Sequence, residues 1–325
     1  MNTEFRLYSP IDPHVSGMLS VSDGHTLYWE CSGNPSGVPV LVLHGGPGAG
    51  CSPKMRQLFD PLFYRIIMFD QRGAGRSRPH ASVVHNTTRH LIADIECLRE
   101  HLQVGRWLIV GGSWGATLAL VYAANHPQKC SGLILRGTWL GRNSDINHFM
   151  TGMGGHRPNE YATFVRHVGL TPQTATASEL LHAYAQRLLY DSSSSVFNSA
   201  AMAWFSYEGA FATVELGDPP AQDEETMAIA LAMARLELHY FLHSVFLQDG
   251  YILDRATNVL RVHQIRGILL HGEHDWICPR DGVTELAQRW TQADLRLIPH
   301  AGHSRWEASL TQALLGAIDE FKSSL

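Results

Sequence analysis

The sequence lacks the features that mark several large classes of protein. Its 325 residues carry a net charge of −5, so it has no basic surplus of the kind that nucleic-acid-binding proteins use. No uninterrupted apolar run approaches the roughly 18 residues that a membrane helix needs. The first residues, MNTEFRLYSPIDP, contain no apolar segment typical of a signal peptide. We therefore expect a soluble, cytoplasmic protein that binds neither nucleic acid nor membrane.

Clusters of cysteine or of metal-ligating residues are also missing from the sequence. The five cysteines are odd in number and irregularly spaced, which argues against a disulfide framework and favours a reducing compartment. The 19 histidines are scattered, and the pair His271 and His274 has no second ligand cluster to complete a zinc site. We therefore expect the protein to work without a metal ion or an organic cofactor.

What the sequence does contain is a regular alternation of strands and helices. Two alternating runs around Asp23 and Gly24 predict a hairpin. Further apolar strands are predicted at VPVLVL, YRIIMF, WLIV, CSGLIL, GILLHG and DLRLIP. The segment RHLIADIECLREHL places apolar side chains at helical spacing. Apolar strands that alternate with helices predict an α/β fold, with a mainly parallel sheet covered by helices on both faces.

The alternation stops between residues 141 and 246. Strand signals vanish there, and three segments predict helices: ELLHAYAQRLLY, SAAMAWFSYEGAF and ETMAIALAMARLELHYFLHSVF. The loop ELGDPPAQDE separates the last two. Strands resume afterwards, and a helix is predicted from about residue 306 to 321. We therefore predict a core formed by residues 1–140 and 247–325, with an inserted helical cap at 141–246.

A serine stands at the corner between one predicted strand and the following helix. In LIVGGSWGATLAL, residues 108–120, a short apolar run leads to Ser113, and a run rich in Ala and Leu follows. Gly111 and Gly115 carry no Cβ, so they let the strand and the helix approach each other. Gly-x-Ser-x-Gly in this context is typical of a nucleophile elbow. A plain glycine-rich loop, for instance one that binds phosphate, is the alternative.

A serine nucleophile needs a base, and the base needs a carboxylate that orients it. Asp275 follows the predicted strand GILLHG, and His303 follows LRLIP, so both stand where sites in open α/β sheets gather. Each could be an ordinary loop residue. The order Ser, Asp, His along the chain is nevertheless the one that the elbow predicts. His300 is the weaker candidate for the base, because it precedes the turn at Gly302.

Acyl transfer also needs an oxyanion hole. One donor is expected to be the backbone N–H after the nucleophile, which belongs to Trp114. The other is expected from the loop HGGPG, where we choose Gly46 and keep Gly45 as the second choice; an ordinary turn is the alternative. In the loop DQRGAGRS, we expect Asp70 and Arg72 to brace the backbone by hydrogen bonds and to take no part in the chemistry.

Six motifs extend this interpretation: LHGGPGAG, FDQRGAGRS, GGSWGATLAL, ARLELHYF, HGEHDWICP and AGHS. Together they resemble the prolyl aminopeptidases, or proline iminopeptidases, of the α/β-hydrolase superfamily, and the resemblance covers nearly the whole chain. It implies an α/β-hydrolase fold with a helical cap. It also implies a serine exopeptidase that releases N-terminal proline from peptides through an acyl-enzyme intermediate.

The family recognises the free amino terminus with acidic residues of the cap. The matching positions are Glu208, in WFSYEG, and Glu237, in ARLELHYF. Glu237 stands in an otherwise apolar stretch, where an unpaired carboxylate is costly, so a cationic partner is expected on physical grounds as well. A salt bridge from Glu237 to Arg136 or Arg235 is the alternative. Arg136 itself resembles a family arginine near these acids.

The resemblance further implies an apolar, aromatic pocket for the proline ring. Phe241 and Cys278 match the family motif directly, whereas Trp139 and Phe149 stand where other aromatic residues are usual. HGEHD and WFSYE also depart from the common family pattern, which leaves the size of the pocket open. For each aromatic residue, plain core packing is the alternative.

Two other functions stay open at this point. One is a different serine hydrolase on the same fold, such as an esterase, which would not need two inward carboxylates. The other is a non-catalytic binding protein, which would be free to lose a member of the triad. The expected partner is a peptide with a free N-terminal proline, bound by a monomer or a small homo-oligomer.

Overall fold

The computed structural model describes residues 6–324. In that range, eight strands form one sheet in the order β1-β2-β4-β3-β5-β6-β7-β8. The strands are β1 (Val15–Ser20), β2 (Thr26–Gly33), β3 (Val38–Leu43), β4 (Tyr64–Phe69), β5 (Trp107–Gly112), β6 (Cys130–Arg136), β7 (Gly267–Gly272) and β8 (Ala293–Ile298). Strands β1, β2 and β4 pair antiparallel, and all other pairs are parallel. The sheet is therefore mainly parallel, as predicted.

Helices cover the sheet and form the segment between β6 and β7. Those near the sheet are α1 (Thr88–His101), α2 (Trp114–Asn125), α8 (Thr257–Val262), α9 (Arg280–Arg289) and α10 (Ala308–Phe321). The other five follow β6 and precede α8 in the chain: α3 (Asn143–Met150), α4 (Pro158–His167), α5 (Ala177–Ala185), α6 (Ser194–Phe211) and α7 (Glu224–Leu242). None of the helices described in residues 6–324 is both long and apolar enough to cross a membrane.

Alternate residues of the central strands enter two different apolar cores. Leu41 and Ile109 pack in the core that includes α1 and α2, whereas Val40 and Leu108 pack in the core that includes α10. Successive side chains of a strand point to opposite faces, so a strand buried on both faces must be apolar throughout. This explains why β3 and β5 show continuous apolar runs in the sequence.

The parallel arrangement decides where the polar loops meet. Strands β3 to β8 run in one direction, so the segments that follow them lie at the same edge of the sheet. His44 follows β3, Ser113 follows β5, and Gly137 follows β6. Asp275 and His303 lie in the loops after β7 and β8. The fold therefore brings the residues proposed for the chemistry to one edge.

The sequence analysis missed four helices. Helices α3 and α4 lie in the segment where fewer helices were expected, α8 precedes β7, and α9 follows the loop that contains Asp275. All four are short, with ten residues or fewer. Helix α9, RDGVTELAQR, buries only Gly282, Val283 and Leu286. A pattern of apolar side chains this sparse does not distinguish a helix from a polar loop.

Candidate active site

Ser113 occupies a strained corner between β5 and α2. Its backbone has φ 58° and ψ −126°, a left-handed conformation that non-glycine residues rarely adopt. A Cβ on Gly111 would collide with the carbonyl of Gly115, and a Cβ on Gly115 would collide with the carbonyl of Leu43. The two glycines are therefore required by the close approach of strand and helix. The corner has the geometry that the Gly-x-Ser-x-Gly pattern predicts.

Asp275 and His303 form a buried hydrogen-bonded pair. Nδ1 of His303 lies 2.8 Å from Oδ2 of Asp275, and Oδ1 accepts the backbone N–H groups of Ile277 and Cys278 at 3.1 and 2.9 Å. Burial opposes the ionisation of Asp275, but His303 and these hydrogen bonds outweigh it and lower its pKa to about 2. Asp275 is therefore an ionised acceptor that fixes the orientation of the imidazole.

His303 itself is held in its neutral form. Burial lowers its pKa below the ordinary 6.5, and Arg136 lowers it further, while Asp275 acts in the opposite direction. A neutral imidazole whose Nδ1–H donates to Asp275 keeps Nε2 as its basic nitrogen. His300, the alternative base, is exposed and lies beside His274, at 6.4 Å between ring centroids.

Arg136 connects Ser113 to His303. Its backbone carbonyl accepts the Ser113 N–H at 2.9 Å, and its Nη1 donates to the His303 carbonyl at 2.6 Å. The arginine is buried, and its guanidinium lies more than 4.0 Å from the carboxylates of Glu208 and Glu237. Arg136 therefore connects the loops of Ser113 and His303 by direct hydrogen bonds. Its interaction with Glu208 is only a long-range electrostatic one.

Glu307 is a second brace that the sequence analysis did not identify. Its Oε2 accepts the Gly302 N–H at 2.6 Å, and its Oε1 accepts the Val214 N–H at 3.0 Å. The backbone N–H groups of His303 and Ser304 donate to the carbonyl at the end of α6, that of Ala212, at 2.9 and 2.6 Å. The histidine loop is therefore tied to α6, the helix that carries Glu208.

The expected oxyanion donors lie around the same serine. Trp114 is the first residue of α2, so its N–H has no acceptor within the helix. Gly46 lines the same pocket as Ser113 and has φ 100°. Gly45, the second choice, is packed closely against the side chain of Ser113, since a Cβ there would lie 3.3 Å from the serine Cβ.

Gln71 fixes the loop that carries these glycines. Its backbone N–H donates to His44 Nε2 at 2.9 Å, and its side-chain amide donates to the His44 carbonyl at 2.9 Å. Its Oε1 accepts the indole N–H of Trp114 at 2.9 Å. Gln71 thus couples the two loops that supply the expected donors, and no pattern in the sequence pointed to it.

Asp70 and Arg72, in the loop DQRGAGRS, make hydrogen bonds that connect loops, as the sequence analysis expected. Oδ1 of Asp70 accepts the Cys51 N–H at 2.8 Å, and Oδ2 lies 2.7 Å from Nε of Arg76. Arg72 is fully buried and donates to Asp94 through two bonds of 2.6 and 2.8 Å. These contacts hold the loops together at a distance from the serine.

Two carboxyl groups face a small pocket beside Ser113. Glu208 and Glu237 lie on α6 and α7, and both line the pocket. Oε2 of Glu208 and Oε1 of Glu237 are buried with no hydrogen-bond partner. Among the described residues, no nitrogen of Lys, Arg or His lies within 4.0 Å of either group. The alternative of a salt bridge from Glu237 to Arg136 or Arg235 is therefore not found.

The environment disfavours ionisation of both glutamates. Burial raises the pKa of Glu208 to about 7, although Glu237 and, to a lesser extent, Arg136 act against this. Burial and the nearby Glu208 carboxylate raise the pKa of Glu237 well above its usual range. The indole N–H of Trp204 donates to Oε2 of Glu237 at 2.6 Å. A cation in the pocket would relieve this unfavourable pairing.

Apolar and aromatic side chains form the rest of the pocket. It is small and is lined by Gly46, Ser113, Trp139, Phe149, Glu208, Glu237, Phe241, Ile277 and Cys278. Phe241 lies 5.3 Å from Trp139 and 5.2 Å from Phe149, measured between ring centroids. The four apolar residues that the resemblance implied thus surround one space. Ile277 was not anticipated.

Asp275, Cys278 and His303 place possible metal-ligand atoms within 4.8 Å of one another. Metal binding requires the thiolate, but burial raises the pKa of Cys278 well above its usual range. The carboxylate of Asp275 is already used by His303 and by two backbone N–H groups. The donor set therefore suits an orienting role for Asp275 better than a metal centre.

Comparison with known proteins agrees with this geometry. The profile of the α/β-hydrolase fold matches residues 38–305. A proline iminopeptidase of Arabidopsis thaliana is 43% identical over 319 residues, which cover 98% of this chain and 82% of the relative. A proline iminopeptidase of Xylella fastidiosa is 41% identical over 316 residues, which cover 97% of this chain and 99% of the relative. The chain belongs to the proline iminopeptidase family.

A solved structure extends the comparison to three dimensions. The proline iminopeptidase-related protein of Thermus thermophilus superposes with a TM-score of 0.58 at 24% identity, covering 96% of this chain and 98% of that chain. Similarity at this level of identity shows the fold alone. The α/β-hydrolase fold and the family that the motifs predicted are both confirmed. The roles of individual residues in this proline iminopeptidase family member stay predictions.

Proposed function

We propose that this protein is a serine exopeptidase that releases N-terminal proline from peptides through an acyl-enzyme intermediate. The observation that carries the proposal is the pair Glu208 and Glu237. Two buried carboxyl groups without a cationic partner share a pocket with a serine at a strained elbow. A positively charged substrate amine would supply the missing cation. The names of the relatives supply the residue type, proline.

The chemistry of proline fits this arrangement. A protonated N-terminal proline carries two N–H donors on a secondary ammonium, and the two glutamates offer two acceptors. Charge-assisted hydrogen bonds of this kind are about twice as strong as neutral ones. The ring is apolar, so it would pack against Trp139, Phe149 and Phe241.

The covalent steps follow from the pair His303 and Asp275. His303 Nε2 takes the hydroxyl proton of Ser113 as the serine oxygen attacks the prolyl carbonyl. Asp275 keeps the imidazole oriented and stabilises the imidazolium that forms. His303 then protonates the leaving amine, and a water molecule attacks the acyl-enzyme by the same route. Free proline leaves, and Ser113 regains its proton.

The negative charge on the carbonyl oxygen needs donors that are already in place. We assign them to the N–H groups of Gly46 and Trp114. Removal of one such donor typically raises the barrier by about 3 kcal/mol. The contacts of Gln71 to His44 and Trp114 support this assignment, because they hold both donor segments in one position.

The proposed site draws its residues from two parts of the chain. We propose that residues 141–246 form a cap domain over a core made of residues 1–140 and 247–325. The cap supplies Glu208 and Glu237, and the core supplies the serine, the histidine and the aspartate. We further propose a cytoplasmic location. Free thiols at the five cysteines support this.

Hydrolysis of proline p-nitroanilide tests the proposal, with alanine p-nitroanilide and p-nitrophenyl acetate beside it. We expect cleavage of the prolyl compound and a loss of at least about a thousandfold in Ser113→Ala, which should fold normally. A general active-serine probe should label the parent and not the variant. Reaction with the ester alone would indicate an esterase of the same fold. Absence of both labelling and turnover would indicate a non-catalytic binding protein.

A further inference from the structure

A second cluster of ligating side chains lies outside the pocket. Asp23, in the turn between β1 and β2, meets His85, in the loop before α1, and His90, in the first turn of α1. One ligand atom of each residue lies within 4.8 Å of the other two. None of the three residues takes part in the chemistry proposed above. Asp23 is far in sequence from the two histidines.

We propose that Asp23, His85 and His90 bind one divalent transition-metal ion of the zinc type. Two imidazole nitrogens and one carboxylate oxygen are a donor set that Zn²⁺ accepts, with water in the fourth position. Such a set discriminates against Mg²⁺ and Ca²⁺, which prefer oxygen ligands.

The ring of His90 and the backbone of His85 are held in position before any ion binds. Thr87 Oγ1 lies 2.8 Å from Nδ1 of His90, which leaves Nε2 of that ring facing Asp23 Oδ2 at 3.5 Å. A hydrogen bond from the second ring nitrogen of a ligating histidine is the usual arrangement in metal sites. His85 is held through its carbonyl, which accepts Arg72 Nη1 at 2.9 Å.

The charge balance allows a cation at this place. Arg72 Nη1 lies 3.7 Å from Asp23 Oδ2 and would repel a metal ion if it stood alone. Its charge is balanced by Asp94, which accepts two of its hydrogen bonds at 2.6 and 2.8 Å. Asp23 and Asp94 together carry two carboxylates against the one guanidinium of Arg72, so this group of side chains can accept a further cation.

An ion at this cluster would connect the hairpin turn to α1 and to the loop before it. The same loop supports α7, because Tyr240 donates to Asn86 Oδ1 and His239 Nε2 lies 2.9 Å from the Asn86 carbonyl. We therefore expect zinc to stabilise the fold around the helix that carries Glu237. The peptidase chemistry itself does not need it.

Calorimetric titration of the full-length, tag-free, EDTA-treated protein with zinc chloride tests the proposal. We expect one saturable site in the parent protein and a loss of affinity of about tenfold or more in His85→Asn, His90→Gln and Asp23→Asn. Asparagine at position 85 tolerates the left-handed backbone there, φ 48°. His263→Ala removes an exposed histidine elsewhere and should bind zinc like the parent.

Thermal unfolding gives a second readout that does not depend on activity. Zinc should raise the melting temperature of the parent and of His263→Ala, and it should leave His90→Gln unchanged. Circular dichroism without zinc checks that each variant is folded. Equal affinity in the parent and in all three cluster variants, or no saturable binding by the parent, would overturn the proposal.

Discussion

Glu208 and Glu237, on neighbouring helices, each present one buried and unpartnered carboxyl oxygen to the pocket beside Ser113. Buried polar groups are nearly always hydrogen-bonded, so two such oxygens in one place need an explanation. The two neighbouring carboxyl groups interact unfavourably, and a substrate ammonium would remove this interaction. Under the proposed function, binding of a substrate amino terminus would therefore also stabilise the folded protein.

The first prediction concerns Glu237→Gln. The amide keeps the shape but cannot ionise when a substrate amine binds, so kcat/KM for a free-amine peptide should fall by about tenfold to a hundredfold. Hydrolysis of p-nitrophenyl acetate should change little, because that ester has no amine. Glu225→Gln, on the exposed first turn of α7, is the matched control and should behave like the parent.

The same variant should be as stable as the parent or more stable. It removes a carboxyl group whose pKa burial raises well above its usual range, and so removes a cost of folding. Denaturation in urea at neutral pH measures this. A large loss of stability together with an equal loss of both activities would show a structural role for Glu237 instead.

The second prediction is a difference between two pH profiles. His303 acts as a base only when neutral, and its pKa lies below 6.5, so ester hydrolysis should fall as the pH drops through a midpoint below that value. The glutamates have raised pKa values and lose their charge as the pH falls. Cleavage of the free-amine substrate should therefore decline at a higher pH than cleavage of the ester. One shared profile for both substrates would contradict the account.

The third prediction concerns Trp204→Phe. The change keeps an aromatic ring beside Phe149 but removes the N–H that donates to Glu237 at 2.6 Å. The pKa of Glu237 should rise further, and KM for the free-amine substrate should increase by about tenfold. Trp290→Phe removes a comparable hydrogen bond, to the Ile265 carbonyl, far from the pocket. An equal change in KM in the two variants would argue against a role in amine binding.

The fourth prediction concerns Glu307→Gln. Glutamine can accept from only one of the two N–H groups that Glu307 binds, those of Gly302 and Val214. The histidine loop should loosen, so kcat should fall more than KM rises, and stability should drop by about 2 kcal/mol. Glu179→Gln alters a similar contact, with the Thr176 N–H, at an exposed helix start. An unchanged kcat in Glu307→Gln would show that the brace is dispensable.

Local patterns in the sequence predicted the elbow and the positions of the neighbouring loops. Ser113 could be placed because a strand, a turn and a helix follow one another within a few residues. Asp275 and His303 could be placed because each follows a predicted strand, and parallel strands end at one edge. The helical cap segment was visible as a change from strand to helix periodicity.

Contacts between distant parts of the chain could not be predicted in this way. The bond between Trp204 and Glu237 depends on how α6 packs against α7, although Trp204 and Glu208 do stand four residues apart on one helix face. Gln71 and Glu307 bind backbone groups. Every residue has these groups, so the sequence pattern does not indicate such contacts. The cluster of Asp23, His85 and His90 was missed because the turn that carries Asp23 is far from the histidines in sequence.

The most direct test of the central claim compares proline p-nitroanilide with its N-acetylated derivative. Acetylation removes the ammonium and leaves the ring, the carbonyl and the leaving group unchanged. The account predicts rapid cleavage of the free amine and a kcat/KM at least about a hundredfold lower for the acetylated compound, a difference that Glu237→Gln should reduce. Comparable cleavage of the two compounds would contradict amine recognition by Glu208 and Glu237.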